Sequence, residues 1–237
     1  MVNVQSARQL LVPNFFIKPK QVKGLDSMPF REYEAMVYIE NDQELIEKFQ
    51  NLNATLLQQV FQRDNYYDLN YKLVKKDELL RLRIEETIEA HEFIDAEFSW
   101  KSGRKGTQYE VREDISIPLQ QEETVPTLEE ILSRLGFKKL AWLTKYRDRW
   151  RLNNIDFEFD KQIEAQVINR PNLQMGSYLQ ATIETEDDYI PEEMENLLWD
   201  ALEKFGFNRS QFHRESYIEL YLQKLNALMS PPKNRVI

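Results

Sequence analysis

The chain has 237 residues, 42% of them apolar and 12% aromatic, enough to bury a sizeable core as one large domain. Its formal net charge of −9 argues against a general nucleic-acid binder, and the absence of cysteine excludes disulfides, thiolate zinc sites and a cysteine nucleophile. No apolar run is long enough to span a bilayer, so the expectation is a soluble protein without a membrane partner, in a reducing, cytoplasmic setting.

Residues 1–29 read as a flexible leader. They carry Arg8, Lys18, Lys20 and Lys23 and no acid before Asp26, a faint resemblance to a targeting segment that leaves organellar targeting as the alternative, but the apolar stretch Leu10 to Ile17 is short and broken by Pro13 and Asn14, which favours the leader. Asp42 is placed to cap a helix with Leu45, Ile46 and Phe49 on one face, and Thr55 to Phe61 reads as a strand leading into Gln62 to Asp68. Phe93 to Lys101 forms the next strand, joined by the basic connection Ser102 to Gly106 to a strand over Gln108 to Pro118. Pro126 to Glu130 has the form of a capping box before the stripe Leu128, Ile131, Leu132 and Leu135. Leu140 to Leu152 and Asn154 to Ile163 read as a hairpin, Tyr178 to Glu184 as a strand, and Met194 to Phe205 as an amphipathic helix. Residues 229–237, with Pro231 and Pro232, read as a disordered tail. The domain is thus expected over 30–228.

Charge alternates with apolar residues along several strands. In Leu79 to Glu85, Arg81 and Arg83 share one face while leucine and isoleucine take the other. Glu32, Glu34 and Met36 alternate in the same way, as do Glu110, Arg112 and Asp114, Lys145 and Arg147, and Asp156, Glu158 and Asp160. On any one strand this pattern also describes the solvated face of an ordinary sheet. Closed on one another, such strands would line a charged interior able to hold a polyanion through arginine and lysine and a divalent metal through carboxylates. His91 and His213 have no partner at metal-ligand spacing. Phosphate-loop, dinucleotide-binding, metalloprotease and serine-nucleophile motifs are missing.

In this order Glu32-x-Glu34, Tyr66-Tyr67-Asp68, Leu80 to Arg83, Trp100-Lys101, Tyr109 to Ile115, Leu135-Gly136-Phe137, Lys145-Tyr146-Arg147, Phe159-Asp160, Met175 to Tyr178 and Ser216-Tyr217 resemble the CYTH family, the triphosphate tunnel metalloenzymes. The resemblance covers roughly residues 30 to 222. It implies an α+β fold: a closed eight-stranded antiparallel barrel with a central tunnel and helices packed outside. Its known members include thiamine triphosphatases, inorganic tripolyphosphatases, RNA triphosphatases and a class of adenylyl cyclases.

Carried over residue by residue, the resemblance implies that a small-molecule triphosphate or polyphosphate meets Arg81, Arg83, Lys101, Arg112, Lys145 and Arg147. Guanidinium forks suit phosphoryl oxygens. Glu32, Glu34, Glu110 and Asp160 are implied as ligands of Mg2+ or Mn2+, with catalysis resting on Glu32 and Glu34. The chain departs from the resemblance at Met36, which stands where the family has a lysine, and at Gln180 and Thr182, which stand where it has paired carboxylates; Glu184 is the only nearby acid of matching parity. The leading expectation is metal-dependent hydrolysis of an inorganic or organic triphosphate. The alternatives are a degenerate, non-catalytic binder of polyphosphate or nucleotide and, behind it, an adenylyl cyclase-like enzyme.

Overall fold

The computed structural model describes residues 31–104, 110–153, 155–185 and 191–229. The leader at 1–29 and residues 230–237 of the tail lie outside the described residues. The elements are β1 (Arg31–Ile39), α1 (Asp42–Asn51), β2 (Thr55–Asp68), β3 (Leu79–Glu86), β4 (Phe93–Lys101), β5 (Glu110–Leu119), α2 (Thr124–Arg134), β6 (Lys138–Leu152), β7 (Ile155–Val167), β8 (Leu173–Thr185), α3 (Pro191–Glu203), β9 (Phe212–His213) and α4 (Tyr217–Met229).

The strands form one antiparallel sheet of nine, in the order β5-β4-β3-β2-β6-β7-β8-β1-β9. This corrects the expectation of a closed eight-stranded barrel. β5 reaches β1 only from Arg31↔Glu113 to Glu34↔Glu110, while β9 takes the edge of β1 at Met36 and Val37. The sheet therefore curls until its edges touch over a short seam, without being sealed along its length. The remaining residues of β5, Asp114 to Leu119, pair only with β4 among the described residues.

Period-two alternation decides which side chains face inward. On β1, Tyr33, Ala35, Val37 and Ile39 join Phe157, Phe159, Leu179 and Ala181 in a core covered by α1 and α3. There Phe49 of α1 stacks on Trp150 with ring centroids 4.7 Å apart. α2 covers Leu82, Ile84 and Ala96 on the outer face of β3 and β4 through Val125 and Leu132. α4 departs from the expected arrangement of helices packed outside. Its Tyr217, Leu220, Tyr221 and Leu225 pack on Met36, Leu143, Ile163, Ala165 and Tyr178, which project from the opposite face of the sheet. The helix thus plugs an apolar stretch of the concave side.

A bulge in β7 makes this possible. The register breaks between Asp160 and Ile163, with Gln162 at φ 49°, so that Asp160 and Ile163 both turn inward although three positions apart. Opposite it, Gly176 has φ 92°, and a Cβ there would lie 2.8 Å from the Tyr38 ring, so both backbone and space require glycine.

Local capping differs from the sequence reading. Asn41, not Asp42, caps α1, accepting from the Glu44 N–H at 3.3 Å, while Asp42 accepts from Ser177 Oγ at 3.1 Å. α2 begins at Thr124 without a side-chain cap, so Pro126 to Glu130 is not a capping box. β2 runs unbroken through the polar stretch Gln62 to Asp68, because β3 and β6 pair with it on both sides. No helix among the described residues is long and apolar enough to cross a membrane.

Candidate functional site

The concave face carries charge wherever α4 does not cover it. β2 contributes Gln62 and Asp64, β3 Arg81, Arg83 and Glu85, β4 Glu97, Ser99 and Lys101, β6 Lys145, Arg147 and Arg149, and β7 Glu158 and Asp160. Lys145, Arg147, Asp64 and Asp160 are almost fully buried, with exposures of 1%, 1%, 1% and 0%. Charges this deep require partners, and register supplies them.

Asp64 stands opposite Arg83 and accepts from its Nε at 2.8 Å and its Nη2 at 2.9 Å. Burial pushes the Asp64 carboxyl up, but Arg83 and Arg81 overcome that and hold it far below the usual carboxylate range. Asp160 stands opposite Arg147 and accepts from Arg147 Nε at 2.6 Å, Arg147 Nη2 at 2.7 Å, Lys145 Nζ at 2.7 Å and the Tyr217 hydroxyl at 2.7 Å. Burial, aided by the charge of Arg147 and opposed by Asp160 and Asp64, lowers the Lys145 ammonium to about 8. Arg147 also pairs with Glu158, and Arg149 with Glu85. Arg81 is held more loosely, its Nη2 lying 3.5 Å from Glu97. Its Nε, like the Ser99 hydroxyl opposite it, is buried without a hydrogen-bond partner among the described residues.

The residues singled out from sequence are placed as follows. Arg81, Arg83, Lys145 and Arg147 are close enough to act on shared carboxylates: Arg83, Arg81 and Lys145 on Asp64, and Arg147, Arg83 and Lys145 on Glu158. Lys101 lies on the same face, 3.9 Å from Glu34 and 3.6 Å from Asp114. Arg112 turns to the rim, donating to the Asp77 carbonyl at 2.8 Å and the Ser102 carbonyl at 3.0 Å. Glu32 pairs with Arg112 and Glu184, and Glu34 with Glu110 and Thr182, in backbone register. The side chains of Glu32, Glu110 and Glu184 lie outside the described residues.

The described residues do not fit a resident metal. They contain no group of three or more His, Asp or Glu able to hold an ion. Gln180 and Thr182 stand between Met36 and Glu34 on one side and Glu158 and Asp156 on the other, which places neutral groups beside the acids. Asp160 pairs with Tyr178, whereas Glu34 pairs with Thr182, four residues further along the same strand or about 13 Å. Glu34 and Asp160 therefore do not meet on one ion, whose ligand oxygens sit roughly 2 Å away.

Sequence reasoning passed over Asp64, Glu85, Glu97, Arg149 and Tyr217. Asp64 fell in a stretch read as leading out of a strand, and the inward alternation of Gln62 with Asp64 was the available signal. The basic connection after Lys101 is partly structural. Arg104 forks between Asp77, at 2.8 Å, and Glu219 of α4, at 2.6 Å, tying the plug helix to the β2–β3 connection. Lys105 lies outside the described residues.

Comparison with solved structures finds the same architecture elsewhere. PH1819 from Pyrococcus horikoshii OT3 is 25% identical, with a TM-score of 0.65 over 81% of this chain and 99% of its own. An adenylate cyclase candidate from Vibrio parahaemolyticus is 13% identical, with a TM-score of 0.62 over 81% of this chain and 97% of its own. HpAC1 from Hippeastrum, an adenylyl cyclase candidate described as having a dominant triphosphatase activity, is 14% identical, with a TM-score of 0.51 over 82% of this chain and 96% of its own. Comparison with curated proteins returns no match. Residues 31–217 match the CYTH domain, which is most of the chain and spans the whole charged face, and the chain therefore belongs to the CYTH family.

Proposed function

We propose that the chain binds a linear triphosphate on the charged concave face and hydrolyses its terminal phosphoanhydride. The observation that carries this reading is the convergence of Arg81, Arg83, Lys145 and Arg147 from two strands flanking β2. Buried cations cost several kcal/mol of lost hydration each, and a fold that needed only a core would fill these positions with apolar side chains. Arg81 Nε and Ser99 Oγ add donors that lack a partner among the described residues. Each such group costs roughly 1–3 kcal/mol until an acceptor arrives, and phosphoryl oxygens are good acceptors.

In the complex, Arg81 and Arg83 grip phosphoryl oxygens from β3, while Lys145 and Arg147 do so from β6. Charge accumulating on the leaving phosphate is offset by these donors, which are already in place and need little reorganisation. Mg2+ or Mn2+, when bound with the substrate, supplies further charge neutralisation. The described carboxylates do not by themselves form its site.

A second reading is a non-catalytic binder of polyphosphate or nucleotide. Gln180 and Thr182 beside Glu34 favour it, since they provide no charge for a divalent ion. Phosphate release from tripolyphosphate, thiamine triphosphate and nucleoside triphosphates, assayed with magnesium and with manganese, separates the two. Turnover of at least one substrate is expected. Binding without turnover on every substrate supports the second reading, and absence of binding overturns both.

A further inference from the structure

The family resemblance makes Asp160 a metal ligand, and the surroundings of this side chain disagree. An ionised carboxylate offers about four acceptor sites. Asp160 receives four donors: Nη2 of Arg147, Nζ of Lys145 and the hydroxyl of Tyr217 crowd Oδ2, and Nε of Arg147 reaches Oδ1. It is 0% exposed, so water completes nothing there. A divalent ion bound to Asp160 would lie against two cationic groups, a like-charge contact in a poorly hydrated interior. It would also find no help from Glu34, about 13 Å further along the register.

We propose that Asp160 is a positioning residue of the triphosphate site: it holds Lys145 and Arg147 in place on the concave wall and ligates no metal, while the hydroxyl of Tyr217 of α4 fixes Asp160 at the same oxygen as Lys145. The inference rests on the triphosphate reading above. Lysine and arginine side chains each carry about 2 kcal/mol of rotamer entropy, which a site pays at binding unless something has ordered them beforehand. Asp160 orders both at once. Lys145 is fixed further by the Tyr217 ring, whose centroid lies 4.8 Å from Nζ. Alternation with Glu158 gives Asp160 its inward aim, and the plug helix supplies the fourth donor, so the phosphate side of the site and α4 are joined through one carboxylate.

The test compares the full native chain with Asp160→Asn and Tyr217→Phe, using manganese alone, followed by electron paramagnetic resonance, and tripolyphosphate, followed by calorimetry with and without excess chelator. Asp160→Asn is expected to leave the manganese signal unchanged and to weaken tripolyphosphate binding in chelator by about tenfold or more, the scale of one charge-assisted hydrogen bond. Excess manganese does not restore that loss. Tyr217→Phe keeps the ring over Lys145 and is expected to weaken tripolyphosphate binding about threefold, the scale of a neutral donor, with no change in manganese binding. Loss of manganese binding in Asp160→Asn, rescue by excess manganese, or unchanged tripolyphosphate affinity in a folded variant would each overturn the proposal. If Asp160→Asn does not fold, Tyr217→Phe decides by the same criteria. A native chain that binds no tripolyphosphate overturns the reading under Proposed function instead, and the manganese comparison still decides whether Asp160 is a ligand.

Discussion

The wall built from β2, β3, β6 and β7 and the seam where β1 meets β5 and β8 use the same alternation of charged residues to different ends. On the wall, register sets acid opposite base: Asp64 faces Arg83, Asp160 faces Arg147, and Glu158 faces Arg149. Cross-strand pairs of opposite charge stabilise a sheet, so folding itself orders these cations. At the seam, Glu34 faces Thr182 on one side and Glu110 on the other, and Met36 faces Gln180. Compensation there is looser: Glu32 faces Arg112, and Lys101 of β4 lies 3.9 Å from Glu34. The difference teaches that an anion site can be built into the folding energetics of a sheet, whereas a metal site needs several carboxylates brought together, and here Gln180 and Thr182 put neutral groups beside Glu34.

The largest effect tests the wall. Arg147→Ala leaves Asp160 buried with one cation fewer and Glu158 without its close partner. Unfolding in urea is expected to show a loss of about 3–5 kcal/mol, the cost of breaking a buried pair. A change below roughly 1 kcal/mol would mean that the wall is not held by its ion pairs.

Arg81→Gln weighs function against stability, because Arg81 meets Glu97 only at 3.5 Å and the amide adds no charge beside it. Calorimetry is expected to show tripolyphosphate binding weakened about tenfold or more, from lost charge-assisted hydrogen bonds, with a smaller loss of stability than in Arg147→Ala. Unchanged affinity in the folded variant would remove Arg81 from the site.

Lys145 gives the wall a dependence on pH. Its folded value of about 8 lies below the ordinary 10.5, so the folded chain binds fewer protons than the unfolded chain between those values. Its contribution to stability therefore rises with pH across that window and is least below pH 8. Triphosphate affinity should move the opposite way, falling about tenfold as the ammonium loses its charge. Lys145→Met should flatten both slopes. Parallel slopes in the native chain and the variant would assign the pH dependence to other groups.

The smallest effect tests the seam. Gln180→Glu with Thr182→Glu restores two carboxylates beside Glu34 and should tighten manganese binding about tenfold without a loss of fold. No gain would show that this part of the seam is not where a metal would sit.

Much of this contrast was visible in the sequence, where it depends on local alternation. Arg81 with Arg83 and Lys145 with Arg147 announce an inward face because each pair is separated by one residue on a strand flanked by apolar positions. The bounds of β4 follow from the same pattern. Long-range pairing was not visible. Asp64 belongs to the site only because β3 brings Arg83 opposite it, and β2 continues through Asp64 for that reason. The β7 bulge after Asp160, which puts Ile163 on the same face for α4 to pack on, is not announced by any residue pattern. α4 does carry a local signal, since Tyr217, Leu220, Tyr221 and Leu225 recur at helical spacing, but what that stripe packs on depends on strands distant in sequence. The expected closure of the sheet also failed, since its edges meet over only a few residue pairs.

The most direct measurement of the central claim is calorimetric titration of the native chain with tripolyphosphate in excess chelator. The paired cations of the wall are in place without metal, so saturable binding at one site per chain is expected, with affinity falling as salt is raised. Absence of binding in chelator, with binding restored only by magnesium or manganese, would contradict the account and return the site to its metal.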